Sequence, residues 1–166
     1  WLSSSSLGSQ TTAKVNLYTT GQAEWIIGPT VNIANTSLTF KAAITDYGDG
    51  NADPSGMQGT DDKVIVRVKT CGGSWTDIFT LEAANTTTLT NSLTSFLIDL
   101  SAYNGQDLTV AFYATDGVTD NTPDYDFHID DVNIITNCSG TPTAGTASAS
   151  PTSICTGNSS TISLTG

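Results

Sequence analysis

Residues 63–70 read Lys-Val-Ile-Val-Arg-Val-Lys-Thr, and their alternation decides the fold. In an extended chain successive side chains point to opposite sides. Val64, Val66 and Val68 therefore share one face, and Lys63, Arg67 and Lys69 charge the other. β-Branched residues favour such a pleated, half-buried surface. Gly72-Gly73 then makes a turn, and Trp75 to Leu81 returns as a second strand.

The same pattern recurs outward in both directions, and helical periodicity is nearly absent. Lys14 to Thr19 reads as a strand, and Ala23 to Ile27 as another that ends at the Gly28-Pro29 turn signal. Ser37 to Thr45 alternates well. Phe96 to Leu100, Leu108 to Ala114 and Phe127 to Ile135 complete the set. About eight or nine strands at this spacing predict two packed antiparallel sheets, a β-sandwich with jelly-roll topology. No βαβ unit is present.

Composition divides the chain into three parts. Residues 1–137 carry the strands of the sandwich. Residues 138–150 are poor in large apolar side chains and read as an extended linker. Residues 151–166 restart with a turn and a short alternating strand, Thr161 to Leu164, as a second module would open. The first residue is Trp1, so the chain is expected to be processed or to lack its natural start.

Sixteen acidic against five basic residues leave a net charge of −11, which excludes a nucleic-acid partner. No apolar run is long enough to cross a bilayer, so no membrane insertion is expected. The charged fraction is only 13%. Thr, Ser, Asn and Gly fill the difference, as in secreted β-proteins. Three cysteines, Cys71, Cys138 and Cys155, form no CxxC pair, and an odd count points to an outside partner or a free thiol. Asn35, Asn85, Asn137 and Asn158 head Asn-x-Ser/Thr triplets, which carry meaning only in a eukaryotic secretory setting.

Catalysis finds little support. The only histidine, His128, lies in a terminal strand and is expected to face a sheet surface. No serine sits in a nucleophile elbow, and glutamate is scarce (Glu24 and Glu82), so no enzyme activity is expected.

The loop Asp46–Asp62 is more informative. Asp49, Asn51 and Asp53 stand at i, i+2 and i+4, a spacing with which acidic loops wrap calcium. Pro54 and Thr60 stand where an EF-hand needs Gly and Glu, so this is not an EF-hand. Asp61 or Asp62 would close a site of another shape. The alternative is a solvated loop in which Asp, Gly and Asn make turns. In Ile129-Asp130-Asp131-Val132, two carboxylates interrupt an apolar strand. Burying them requires a partner or a metal. One of the two should point inward or toward a loop.

Aromatic rings stack on sugar faces, so exposed rings are candidate glycan platforms. Trp25, Trp75, Tyr47, Tyr103 and Tyr125 qualify by type. Trp25 and Trp75 sit among apolar strand residues and are expected in the core. Tyr47 and Tyr125 flank acidic segments and are the expected ligand-binding rings.

The segments EWIIGPTVNI (24–33), SLTFKAAI (37–44), DKVIVRVKTCGGSW (62–75), FLIDLSAYNGQDLTVAFYAT (96–115) and DFHIDDVNI (126–134) together resemble a family. It is the group of MAM-like, cleaved-adhesin or "choice-of-anchor" jelly-roll domains of large bacterial surface proteins, often exported by type IX secretion. The tail 142–166 is similar to the opening of an Ig-like repeat. The resemblance implies an extracellular, non-catalytic module for adhesion to glycans or cell-surface proteins, or a spacer beside such repeats or a secreted protease or glycosidase domain. It also implies bound calcium, carried onto Asp49, Asn51, Asp53 and one of Asp130 or Asp131. Cys155 would pair within its own repeat, which leaves a Cys71–Cys138 bridge open. Residues 1–13 fill the place of the family's first strands poorly.

Overall fold

A computed structural model describes residues 1–7, 10–48, 56–137 and 145–165, with the side chains of 4–6 and 121–123 left aside. The described strands are β1 (Leu2–Leu7), β2 (Gln10–Thr19), β3 (Glu24–Asn32), β4 (Thr36–Asp46), β5 (Lys63–Thr70) and β6 (Thr76–Leu81). They continue as β7 (Thr94–Asp99), β8 (Asp107–Thr115), β9 (Asn121–Thr136), β10 (Thr146–Ser150) and β11 (Thr161–Thr165). One short 3-10 turn, Ser101–Tyr103, separates β7 from β8.

One sheet has the order β1-β2-β9-β4-β7 and the other β3-β8-β5-β6. Every pairing is antiparallel. The pairs β2·β9, β3·β8, β4·β7 and β5·β6 are those of one long hairpin folded on itself and rolled into two layers. This is the expected jelly roll, with β1 added at one edge.

The core follows from alternation. Val64, Val66 and Val68 of β5 meet Leu108, Val110 and Phe112 of β8. From the other sheet come Val15, Leu17, Phe40, Ile44, Tyr125, Phe127 and Ile129. Phe40 lies at the centre, stacked on Phe96 and edge-on to Phe112, each with ring centroids 5.0 Å apart.

Two bulges keep apolar residues inward where strict alternation would turn them out. In β9 the register slips opposite Thr39 and Lys41, and Asp131 takes a positive φ of 50°. Ile129 and Ile134, five residues apart, consequently both pack on the core. In β3 the slip falls at Gly28-Pro29, and Ile26 and Val31 both pack inward. Pro29 has no N–H to contribute, which suits a bulge.

Two expectations change. Residues 2–7 form β1, and β2 begins at Gln10 rather than Lys14, because serine and threonine can occupy an exposed edge hairpin. Residues 146–150, read as part of the linker, form β10 and pair with β11 from Thr146↔Thr165 to Ser150↔Thr161.

Candidate functional site: the outer aromatic face

Alternation that sends Val64, Val66 and Val68 inward sends Ile65, Arg67 and Lys69 to the outer face of the β3-β8-β5-β6 sheet. In register with them come Tyr113 of β8 and Trp25 of β3, since Trp25 pairs with Tyr113 and Tyr113 with Ile65. Trp75, in the connection after β5, lies over the same face. The Trp25 ring stands 5.4 Å from Trp75 and 4.7 Å from Tyr113, at interplanar angles of 44° and 47°. The three rings form a tilted row that follows the sheet's twist.

The Arg67 guanidinium lies over this row. Its Cζ is 4.1 Å from the Tyr113 centroid and 5.0 Å from that of Trp25. Arg67 Nε donates to Asp77 Oδ1 at 2.7 Å, which fixes the guanidinium plane. Ala111, opposite Arg67 in register, is fully buried without joining the core. A small residue there leaves room for the layer above. Farther along the face the Thr30 and Thr109 hydroxyls bond at 2.7 Å, and Asn32 Nδ2 donates to Asp107 Oδ1 at 2.9 Å. A groove of about 380 Å3 runs between Ile27, Lys69, Trp75 and Thr109. Exposed Cys71, a free thiol, sits at its rim.

This face thus presents stacked rings beside amide, hydroxyl and guanidinium donors. The expectation that Trp25 and Trp75 lie in the core is corrected. Both face outward and are half-buried by each other. In Trp-Ile-Ile every residue is apolar, so parity was ambiguous from sequence. Arg67 and Tyr113 were not singled out as site residues. Their signal was the outward position each holds in an alternating strand.

The other expected site residues do not join this face. Tyr125, expected as an exposed ligand-binding ring, is only 1% exposed and belongs to the core. It alternates with Phe127 and Ile129, so the three share the inward face. Its hydroxyl donates to Asp62 Oδ2 at 2.7 Å. Tyr47 is exposed, at the end of β4, where its N–H donates to the Asp124 carbonyl.

The expected calcium ligands scatter. Asp61 Oδ2 accepts the Val118 and Thr119 N–H groups at 2.8 and 3.1 Å, which holds its carboxyl below the usual range. Asp131 pairs with Lys41 at 2.7 Å, and Asp130 Oδ1 accepts the Asp131 N–H. Neither points inward, because the bulge carries both to the outside. Asp130 lies five residues along β9 from Tyr125, about 17 Å, and it is Tyr125 whose hydroxyl bonds Asp62, the neighbour of Asp61. A calcium ion holds its ligands at about 2.5 Å, so Asp61 and the Asp130–Asp131 pair do not share a site. Asp49, Asn51 and Asp53 lie outside the described residues, as does Cys138. Among the described residues no three His, Cys, Asp or Glu side chains converge on a metal position.

His128 does lie on the outer face of its sheet, yet it is fully buried. Thr12 Oγ1 meets its Nδ1 at 2.8 Å and Thr45 Oγ1 its Nε2 at 3.1 Å. Burial lowers its pKa to about 4, opposed by the Asp126 charge and aided by that of Lys14.

Together these elements define a jelly-roll β-sandwich domain with an aromatic outer face. No protein-family model matches the chain, and no curated protein matches it. Among solved structures it is similar to a xylanase 10C variant from Cellvibrio japonicus in complex with xylopentaose. The identity is 13% and the TM-score 0.39, over 78% of this chain. The chain spans 25% of that structure's length. It is also similar to a structure described as "CBM4 structure and function". There the identity is 14% and the TM-score 0.39, over 76% of this chain and 84% of the other.

Proposed function

We propose that the chain is a non-catalytic, extracellular binding module that holds a neutral glycan on the outer face of the β3-β8-β5-β6 sheet. The observation that carries this reading is the row Trp75–Trp25–Tyr113 with Arg67 fixed beside it. The C–H faces of a sugar are apolar and stack on such rings, while its hydroxyls need donors and acceptors at the edge. Arg67, Asp77, Thr30, Thr109 and Asn32 supply them. A net charge of −11 disfavours polyanionic glycans and leaves neutral ones.

A non-catalytic role is supported by the solvent-excluded His128, whose two ring nitrogens are both engaged by threonine hydroxyls. A bacterial cell-surface setting is supported by the ordered motif series and by the acidic, threonine-rich composition. Neighbouring repeats of the same polypeptide are the proposed partners of the β10–β11 hairpin, whose Ile162 and Leu164 are exposed. A lone two-stranded hairpin is only marginally stable. We assign the expected calcium no ligand among the described residues.

Glycan-array screening followed by calorimetric titration tests the reading. Trp25→Ala with Tyr113→Ala should weaken binding at least tenfold, since stacking on each ring contributes about 1 kcal/mol. A folded chain blank on neutral glycans would sink it. A purely structural spacer is favoured by one observation: Arg67 covers part of the Tyr113 face and is pinned by Asp77. In that case the double substitution lowers stability and no ligand responds.

A further inference from the structure

We propose that a groove beside edge strand β3 is a second saccharide-binding site, separate from the aromatic face and bounded by Trp1, Tyr18 and Tyr47. Val15 and Leu17 of β2 face the core, so alternation turns Lys14, Asn16 and Tyr18 outward. The Trp1 indole Nε1–H donates to the Glu24 carbonyl at 3.2 Å, which seats its ring at the start of β3. Tyr47 is held at the end of β4 by its N–H bond to the Asp124 carbonyl. Three rings from distant points in the chain thus line one groove of about 640 Å3. That volume falls within the range of small-ligand sites, about 300–1,000 Å3. Tyr18 and Tyr47 remain 46% and 61% exposed, so their faces are accessible, whereas the Trp1 side chain is 4% exposed, packs against the core and borders the groove as part of its wall.

The polar lining suits a polyol. Gln22 Oε1 is buried in the groove wall without a hydrogen-bond partner. Such an acceptor is costly to leave unmet, and a ligand hydroxyl would satisfy it. Lys14 Nζ donates to Asp126 Oδ2 at 2.7 Å, and Asp126 is 1% exposed, so the floor is rigid. Asn16 Nδ2 donates to Asp124 Oδ1 and to the Tyr125 carbonyl, which orients that wall. The groove's cations are already paired, Lys14 with buried Asp126 at 2.7 Å and the Trp1 ammonium with Glu24 at 3.4 Å, which leaves Asp124 to disfavour uronates and sulfated sugars. Aromatic rings beside amide and carboxylate groups, without an anion-binding cluster, select a neutral saccharide.

The two sites lie on opposite sides of β3: Trp25 turns to the outer face, while its neighbour Glu24 lines the groove. Packed sheets stand about 10 Å apart, so each site is accessible to its own sugar. One module then holds two saccharides and can bridge two chains.

The test is calorimetric titration of the full chain with cellopentaose, xylopentaose, laminaripentaose and mannopentaose, with the tryptophan indole N–H signals followed by NMR. At least one pentasaccharide should bind with two per chain, shifting the Trp1 indole signal as well as those of Trp25 and Trp75. Tyr18→Ala with Tyr47→Ala, both at exposed positions, should reduce the stoichiometry to one and silence Trp1. Trp25→Ala with Tyr113→Ala should leave the Trp1 response intact. If the Tyr18/Tyr47 variant keeps the parent stoichiometry and affinity, or if all four sugars at millimolar concentration leave the Trp1 signal unmoved, the groove is not a saccharide site. Loss of the Trp25 and Trp75 responses alone would instead remove the proposed function and leave the groove standing.

Discussion

The Tyr125 hydroxyl donates a 2.7 Å hydrogen bond to Asp62 Oδ2, and both side chains are buried between β9 and the end of the β4–β5 connection. Burial raises the Asp62 pKa, the Tyr125 bond opposes the rise, and the charges of Asp116 and Asp61 add to it. The same burial, with the Asp62 bond and charge, lifts the Tyr125 phenol far above its usual range. Tyr125→Phe leaves the carboxylate without this donor. Denaturant unfolding at neutral pH should show a loss of about 1–3 kcal/mol. Because the folded Asp62 holds its proton more tightly than the unfolded one, its contribution is present at low pH. It is lost as pH rises above 3.8 through the raised value. Asp62→Asn should flatten that part of the pH profile.

His128 works with the opposite sign. Its folded pKa is lowered to about 4 from 6.5, so the unfolded chain takes up the proton first. Stability from the neutral, threonine-bonded imidazole is present above pH 6.5 and falls as pH drops toward 4. The full loss is on the order of 3 kcal/mol. Thermal unfolding at pH 7, 5 and 4 should show this fall, and His128→Gln should remove it.

Arg67 is positioned by shape as well as charge. Arg67→Lys keeps the charge but loses the guanidinium contact over Tyr113 and the Nε–H bond to Asp77. Urea titration should show a cost of about 1 kcal/mol. Affinity for the selected glycan should fall several-fold, whereas Lys41→Arg on the other sheet should leave both nearly unchanged.

Gly56 has φ of +106°, and a Cβ there would sit 2.8 Å from the Thr86 carbonyl oxygen. Thr86 in turn accepts the Met57 N–H at 3.0 Å and donates to the Glu82 carbonyl at 2.9 Å. Gly56→Ala should therefore destabilise the chain by more than about 1 kcal/mol. Gly72→Ala, at a positive φ of 73° but in open space, should cost less. Paired chemical denaturation curves distinguish the two.

Strand positions were legible wherever alternation was clean. Lys63–Thr70 was read with the strand bounds it has in the structure. Where composition was serine- and threonine-rich, as in residues 2–7 and 146–150, the strands went unread, because such residues carry no inward–outward contrast. Tyr125 was misplaced although the signal was present: Tyr125, Phe127 and Ile129 alternate strictly among polar neighbours. Asp130 and Asp131 were misread because a bulge, not alternation, sets their direction.

By itself the sequence determined the all-β class, the acidic surface and which residues of a regular strand share a face. The period-two alternation of side chains is a local property and needs no partner. Only the tertiary structure decided that residues 25, 67, 75 and 113 would meet on one outer face, and that residues 1, 18 and 47 would line one groove. Alternation names a face but not a neighbour. Neighbours follow from long-range pairings and from two bulges that shift parity, both set by how the whole chain packs its core.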